Sequence, residues 1–303
     1  MLQSFQLYSK ELSELPEGRL LITTINAHSY NVAQQDTEFA EALRQSDVLL
    51  PDGISIVLAK RLLSGDKIKK IAGEDLFYWE MNRIEVRSKQ FAVSSKQFTE
   101  RIIKTENETS NFSNSSILKP ETRNEKHETP NVEPETASVL FLGSSEEVLA
   151  KIKARAANDF PNVEVHTYSP PYKAEFTAED NRAMVEVINK VNPAVLFVGM
   201  TAPKQEKWAY RLVNPQPLKG GKNGDMHLKN PPLGVRGNFH ICCIGAVFDF
   251  YAETVKRAPQ WIINIGLEWL YRLVSEPKRM WRRYLIGNVK FVWAIVGEKI
   301  RKV

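Results

Sequence analysis

The stretch from Ala137 to Tyr168, ASVLFLGSSEEVLAKIKARAANDFPNVEVHTY, decides how this chain folds. It opens on an apolar run, ASVLFLG, that reads as a strand. The serines and glutamates that follow lead into SSEEVLAKIKARAAND, which reads as a helix. NVEVHTY is a second strand. Strand, helix and strand in one short stretch form a crossover, and crossovers of this kind join parallel neighbours.

The alternation extends in both directions. Upstream, RLLITTIN (19–26) and DVLLP (47–51) read as strands on either side of the helical DTEFAEALRQS (36–46), and GISIVLAKRLL and GEDLFYWEMNRI follow as helices. Downstream come a helix in AEDNRAMVEVINKV, a strand in PAVLFVGM, a helix in PKQEKWAYRLV and a last strand in HICCIGAVFDF. The expected fold class is α/β: a Rossmann-like, largely parallel sheet with helices on both faces, plus a helical C-terminal appendage. The body is expected over residues 1–255 and the appendage over 256–303. Ligands of such sheets sit at the carboxyl ends of the strands.

Two inserts interrupt the rhythm, at about residues 86–136 and 214–236. Within the first, Lys104 to Thr136 is polar and aperiodic, so it reads as disordered. The second is rich in Gly and Pro and reads as a loop. The N-terminal twenty residues carry charges where a signal peptide needs an apolar centre, so no export signal is expected. The adjacent Cys242 and Cys243 point to opposite faces of a strand, which fits a reducing compartment. The five scattered histidines show no metal-ligand spacing.

Charge is unevenly placed. From Lys256 to Val303 there are eleven Lys and Arg against three Glu, about +8, whereas the whole chain carries +5. The excess centres on WLYRLVSEPKRMWRRYL (269–285), where Arg and Lys alternate with Trp and Tyr. Pro277 divides this segment, giving one helix to about Val274 and another from near Glu276. Such a tail suits a surface both anionic and apolar, with Phe291 and Trp293 expected to enter a membrane interface.

Polar residues at strand ends are the candidates for chemistry. Thr24 and Asn26 share a side of the first strand by its period of two. Asp52 stands in a Pro-Asp-Gly turn, where it reads equally as a turn residue or helix cap. Gly143 and Ser144 precede a helix, a place for phosphate or ribose and also for ordinary capping. Lys204 and Gln205 open another helix. No G-x-x-x-x-G-K-[ST] loop, G-x-S-x-G elbow, G-x-G-x-x-G or Asp-x-Asp occurs in these contexts.

Taken together, TTINAHSYNVAQQD, LLPDGISIVLA, KIAGEDLF, VLFLGSSEEV, LFVGMTAPKQEKW, GAVFDFYAETVKRAPQWI and GLEWLYRLVSEPKRMWRRYLIGN resemble the WecG/TagA/CpsF glycosyltransferase family, family 26. The resemblance implies an inverting, metal-independent transferase without cofactor. Its donor would be a UDP-sugar of N-acetylmannosamine type, and its acceptor a polyprenyl-diphosphate-linked sugar. It would work in cell-surface polysaccharide or teichoic acid synthesis, attached peripherally to the anionic inner face of the plasma membrane. Asp52 matches the family's proposed catalytic base, and Thr24 and Asn26 match polar residues of the same pocket. Gln205 and Asp249 match positions near the UDP, and Arg272, Arg279 and Arg282 match basic residues of the appendage. Lys70 stands where the family usually has Arg, and Ala246 where a second Gly is common. Lys70, Gly143, Ser144 and Lys204 complete the expected substrate-binding set.

Two other readings were open to the residues themselves. One is a non-catalytic protein using the basic aromatic tail on membranes or nucleic acid; the confinement of positive charge to the tail and the absence of RNA-binding signatures disfavour nucleic acid. The other is a dinucleotide-dependent oxidoreductase, which lacks its glycine fingerprint here. Self-association into a homo-oligomer is left open by the sequence.

Overall fold

The computed structural model describes residues 1–112, 137–214, 235 and 237–301. Strands β1 (Leu20–Ile25), β2 (Val48–Pro51), β3 (Ser138–Gly143), β4 (Glu164–Tyr168), β5 (Val195–Gly199) and β6 (His240–Cys243) form one sheet in the order β2-β1-β6-β5-β3-β4. Every pairing is parallel. Helices α1 (Ala27–Ala33) and α2 (Thr37–Arg44) lie between β1 and β2, and α3 (Ile54–Ser64) and α4 (Gly73–Phe112) between β2 and β3. Next come α5 (Glu146–Asp159), α6 (Ala178–Val191) and α7 (Lys204–Val213), each spanning one crossover.

Right-handed crossovers that step toward β2 must use one face of the sheet, and those stepping toward β4 the other. The core divides accordingly. Leu76, Phe77, Leu149 and Ile152 of α4 and α5 pack with Ile22, Leu50 and Phe141 on one face. Met184, Ile188 and Trp208 of α6 and α7 pack with Leu140, Leu196 and Ile241 on the other. A third cluster joins α1, α2 and α3 at the β2 edge. Cys242 belongs to the first cluster and Cys243 to the second, each a free buried thiol on its own side of β6.

Three sequence expectations are corrected. The insert expected from about residue 86 is helical as far as Phe112, because α4 runs unbroken for 40 residues. No Gly or Pro falls between Gly73 and Pro120, so nothing in the chain forces a break. Glu85 anchors this helix by accepting from the backbone N–H of Asn162 at 3.0 Å and from its Nδ2 at 2.6 Å, and it pairs with Lys89 one turn on. The remainder of that insert, 113–136, lies outside the described residues, as do 215–234 and 236 of the second.

HICCIGAVFDF is likewise not one strand. β6 ends at Cys243, Gly245 turns the backbone at φ +49°, and α8 (Val247–Tyr251) begins. Asp249 is therefore a helical residue. The turn seats the Phe248 ring on Gly199, where a side-chain Cβ would come within 2.4 Å of it.

Beyond α8 lie α9 (Gln260–Asn264), α10 (Glu268–Ser275), α11 (Pro277–Trp281), one π-helical turn (Arg282–Ile286) and α12 (Gly287–Ile300). The break between α10 and α11 falls at Glu276, with Pro277 at the first helical position as its fixed φ favours. Helix α12 returns to the body: Phe291 and Ile295 join the cluster of α1, α2 and α3. Phe291 is 4% exposed and meets the Tyr30 ring edge-on at 5.2 Å. That placement corrects the expectation that Phe291 enters a membrane. Glu298 fixes the far end of α12 by accepting from the N–H groups of Leu2 and Gln3 and from the Tyr30 hydroxyl. Among the described residues no helix is long and apolar enough to cross a membrane.

Candidate active site

Strand period and register bring the first candidates together. Thr24 continues the face of Ile22, and Asp52 follows the face of Leu50; Ile22 and Leu50 share a core cluster. Thr24 pairs with Leu50 across the sheet, so Thr24, Asn26 and Asp52 reach one carboxyl edge on one side. The backbone N–H of Asp52 donates to the Ile25 carbonyl at 2.9 Å, tying the two strand ends. Asn26 caps α1: its Oδ1 accepts from the N–H groups of His28 and Ser29, each at 3.0 Å. Its side chain also hydrogen-bonds the Asp52 carboxylate.

The Asp52 side chain keeps some exposed surface, yet dense protein surrounds the carboxyl. Burial raises its pKa above the ordinary value, and the nearby charge of Glu268 raises it further; Lys70, the Asn26 hydrogen bond and Arg283 oppose the shift. Arg257 lies within electrostatic reach of both Asp52 and Glu268, and burial lowers its own pKa. It is ion-paired with Glu74 at the start of α4 and sits 3.8 Å from Glu268. His28, one residue into α1 beyond Ala27, has its pKa lowered to about 4 by burial and then by Arg283. It is therefore neutral near pH 7.

The appendage arginines take different positions. The Arg272 guanidinium lies 5.2 Å from the Phe250 ring centre, and Arg257 reaches the same ring at 5.9 Å. The Nε of Arg272 is buried and makes no hydrogen bond within the described protein. Arg282 is exposed, with its guanidinium 5.2 Å from the ring of its neighbour Trp281. Arg283 is the arginine of this pair that acts on Asp52 and His28. Arg279 lies within α11.

The other candidates sit farther along the same edge. Gly143 has φ +125°, and a Cβ there would come within 2.4 Å of the Gly199 carbonyl, so the β3 terminus admits no side chain. Ser144 has φ +60°, and its carbonyl accepts from the Ser169 hydroxyl. Ser145 supplies the cap of α5. Lys204 Nζ donates to the Lys173 carbonyl at 2.5 Å and lies 3.6 Å from the Phe176 ring centre. Gln205 is buried, and its amide is used within the protein: Oε1 accepts from Met200 N–H and Nε2 donates to Glu206. Burial pushes Glu206 up to about 7. The Asp249 carbonyl receives the N–H groups of Thr254 and Val255, which turns the chain toward Arg257.

Sequence reasoning thus named Asp52, Thr24, Asn26 and Lys70 as site candidates but passed over Arg257, Glu268, His28 and Arg283. All four lie inside the quoted stretches, yet as isolated charges they carry no spacing signal.

The profile of the WecG/TagA/CpsF glycosyl transferase family matches residues 4–111, 128–219 and 235–303. The chain belongs to that family. This glycosyltransferase is 24% identical over 284 residues to the "N-acetylglucosaminyldiphosphoundecaprenol N-acetyl-beta-D-mannosaminyltransferase" of Bacillus subtilis (strain 168), covering 93% of this chain and 81% of that one. It is 26% identical over 280 residues to the protein of the same name from Bacillus spizizenii, covering 92% and 79%. The family match runs through the end of α12, so both the Asp52 edge and the arginine helices fall inside it.

Proposed function

We propose that this glycosyltransferase moves an N-acetylmannosamine-type sugar from a UDP-sugar to a polyprenyl-diphosphate-linked sugar, with inversion and without a metal. The carrying observation is the Asp52 carboxyl beside the Asn26 amide at the strand ends, ringed by Lys70, Arg283 and Arg257. The names of the two Bacillus relatives support the sugar and acceptor class.

In this reading Asp52 accepts the proton of the acceptor hydroxyl as that oxygen bonds to the anomeric carbon. The bond from that carbon to the diphosphate oxygen breaks on the opposite face, which inverts the centre. A raised pKa makes the Asp52 carboxylate a stronger base. Asn26 holds the carboxylate in line, and Thr24 lines the same pocket.

Charge gathers on the departing UDP. In this reading Arg272, whose Nε makes no hydrogen bond within the described protein, and Lys70 meet it, with Arg279 as a further appendage cation, while the exposed Arg282 serves the membrane surface. Gly143, Ser144, Lys204 and Asp249 form the nucleotide end, where Gln205 acts by shaping the loop after β5. Residues 256–303 serve as the appendage that closes the site and rests on the inner face of the membrane.

The test is release of UDP from a panel of UDP-sugars with a short-chain lipid-diphosphate-N-acetylglucosamine acceptor, in EDTA. UDP-N-acetylmannosamine should support transfer and Asp52→Asn should not. Transfer from none of the panel, or a strict need for added Mg²⁺ or Mn²⁺, would overturn the reading.

A further inference from the structure

A surface helix of a globular protein ordinarily sets a polar face opposite its buried one. Helix α3 does not. Ile56, Ala59 and Leu63 face the core, and on the opposite side Ile54, Leu58 and Leu62 form a second apolar row at a spacing of four. Leu58 is 56% exposed and Leu62 52%. Arg61 stands beside that row, also exposed.

Helix α12 repeats the arrangement. Phe291 and Ile295 are buried, whereas Val289, Trp293, Val296 and Ile300 lie on the outer side, with Trp293 72% exposed. Helices α3 and α12 touch, and their inner faces enter one core cluster, so their outer rows flank each other on one surface. The turn before α10 extends the surface to the start of α3. Gly266 packs so closely on Ile54 that a Cβ would stand 3.1 Å from its Cγ2, and Ile265 and Leu267 are exposed beside it.

We propose that α3, a helix of the α/β body, is part of the membrane-docking face and rests on an anionic bilayer together with α12. Three observations select this occupant. The apolar rows are bordered by exposed cations, Arg61, Lys290 and Lys299, which complement anionic headgroups. The largest exposed rings on the adjoining tail are tryptophans, Trp261 and Trp293, which favour the headgroup level. The surface is also continuous with the appendage assigned above to the membrane.

The consequence concerns catalysis. Asp52 is separated from Ile54 only by Gly53, at the helix start. A bilayer touching α3 therefore holds the base within a few residues of the surface from which a lipid-linked acceptor emerges. This deepens the proposed function and rests on it for the acceptor, but the docking itself is measured separately.

The experiment compares wild type with Leu58→Ser/Leu62→Ser on vesicles of phosphatidylcholine and phosphatidylglycerol at 3:1, with Trp293→Ser as reference. Both positions are exposed, so melting temperature should hold. Vesicle affinity should fall about tenfold in the α3 double variant, and turnover on a long-chain acceptor in those vesicles should fall with it. Turnover on a short-chain soluble acceptor should stay unchanged.

Unchanged vesicle binding by the α3 variant overturns the proposal, whatever Trp293→Ser does. So does a loss of self-association in sedimentation with vesicle affinity intact, which would make a second copy the occupant. Failure of the transferase reading would appear differently, as wild type that binds vesicles but transfers no sugar.

Discussion

Asn26 Oδ1 accepts from His28 and Ser29 N–H, so the amide group left to meet Asp52 is the NH₂, a donor to the carboxylate. One side chain thereby caps a helix and orients the residue proposed as base. Asn26→Asp separates the two tasks. Aspartate caps a helix as well as asparagine, so the fold should survive. A second carboxylate beside Asp52 should raise its pKa, because two neighbouring anions resist joint ionisation. Turnover at pH 7 should fall roughly 10- to 100-fold, and the acid limb of the pH–rate profile should move to higher pH. An unmoved acid limb would show that Asn26 does not tune Asp52.

Asp52→Asn should lower turnover by about 10²- to 10⁴-fold and at the same time stabilise the protein. The folded pKa of Asp52 is raised, so its contribution to stability is full below the unfolded value of 3.8 and is lost as pH rises through the folded value. Asparagine does not ionise and escapes that loss. The variant should melt above wild type at pH 8, with the gap closing toward pH 3.5. Thermal melts across that range check it, and a lower melting temperature at pH 8 would contradict the burial argument.

Glu206 offers a parallel case away from the reacting edge. It is 1% exposed, its Oε1 accepts from Gln205, and its Oε2 has no hydrogen-bond partner in the described protein. A neutral acid and an amide both keep the acceptor that Gln205 needs. Glu206→Gln should therefore match wild type near pH 5 and exceed it above about pH 7, where the native carboxyl must ionise without a cation. A pH series of melting temperatures would reveal the growing gap. Equal destabilisation at every pH would mean that the shape of the carboxylate, and not its charge, matters.

The strands were legible because each is a short apolar run bounded by polar residues or glycine, and the parallel sheet followed from their alternation with helices. The end of α4, up to Phe112, was not, since its Ser, Thr and Asn content resembles a loop although no Gly or Pro in it breaks a helix. Thr24 and Asn26 were legible because strand period puts them on one side, whereas Asp52, readable by itself as a turn residue or helix cap, joined them only through the family resemblance. Arg257 and Glu268 were hidden: they come within electrostatic reach of Asp52 because β6 ends before Gly245, α8 turns the chain, and the turn before α10 packs Gly266 on Ile54 of α3. Phe291 was misassigned because α12 is apolar on two sides, and sequence periodicity does not say which side meets the core.

Arg282 and Arg283 give the sharpest division, since adjacent residues on a helical turn point in different directions. Arg283 acts on Asp52 and His28, whereas Arg282 is exposed beside Trp281. On a soluble acceptor Arg283→Gln should lower turnover about 10-fold or more, the usual scale for a charge-assisted contact at a reacting site. Arg282→Gln should leave that rate within about twofold, as for an exposed charge, and instead weaken binding to phosphatidylglycerol vesicles. Added salt should reduce wild-type vesicle binding while sparing turnover on the soluble acceptor, because exposed cations are screened and the enclosed ones are not. Paired rate and vesicle measurements on the two variants check this. If Arg282→Gln abolishes soluble turnover and Arg283→Gln does not, the π-helical turn rotates when substrate binds, and Arg282 becomes the cation of the departing diphosphate.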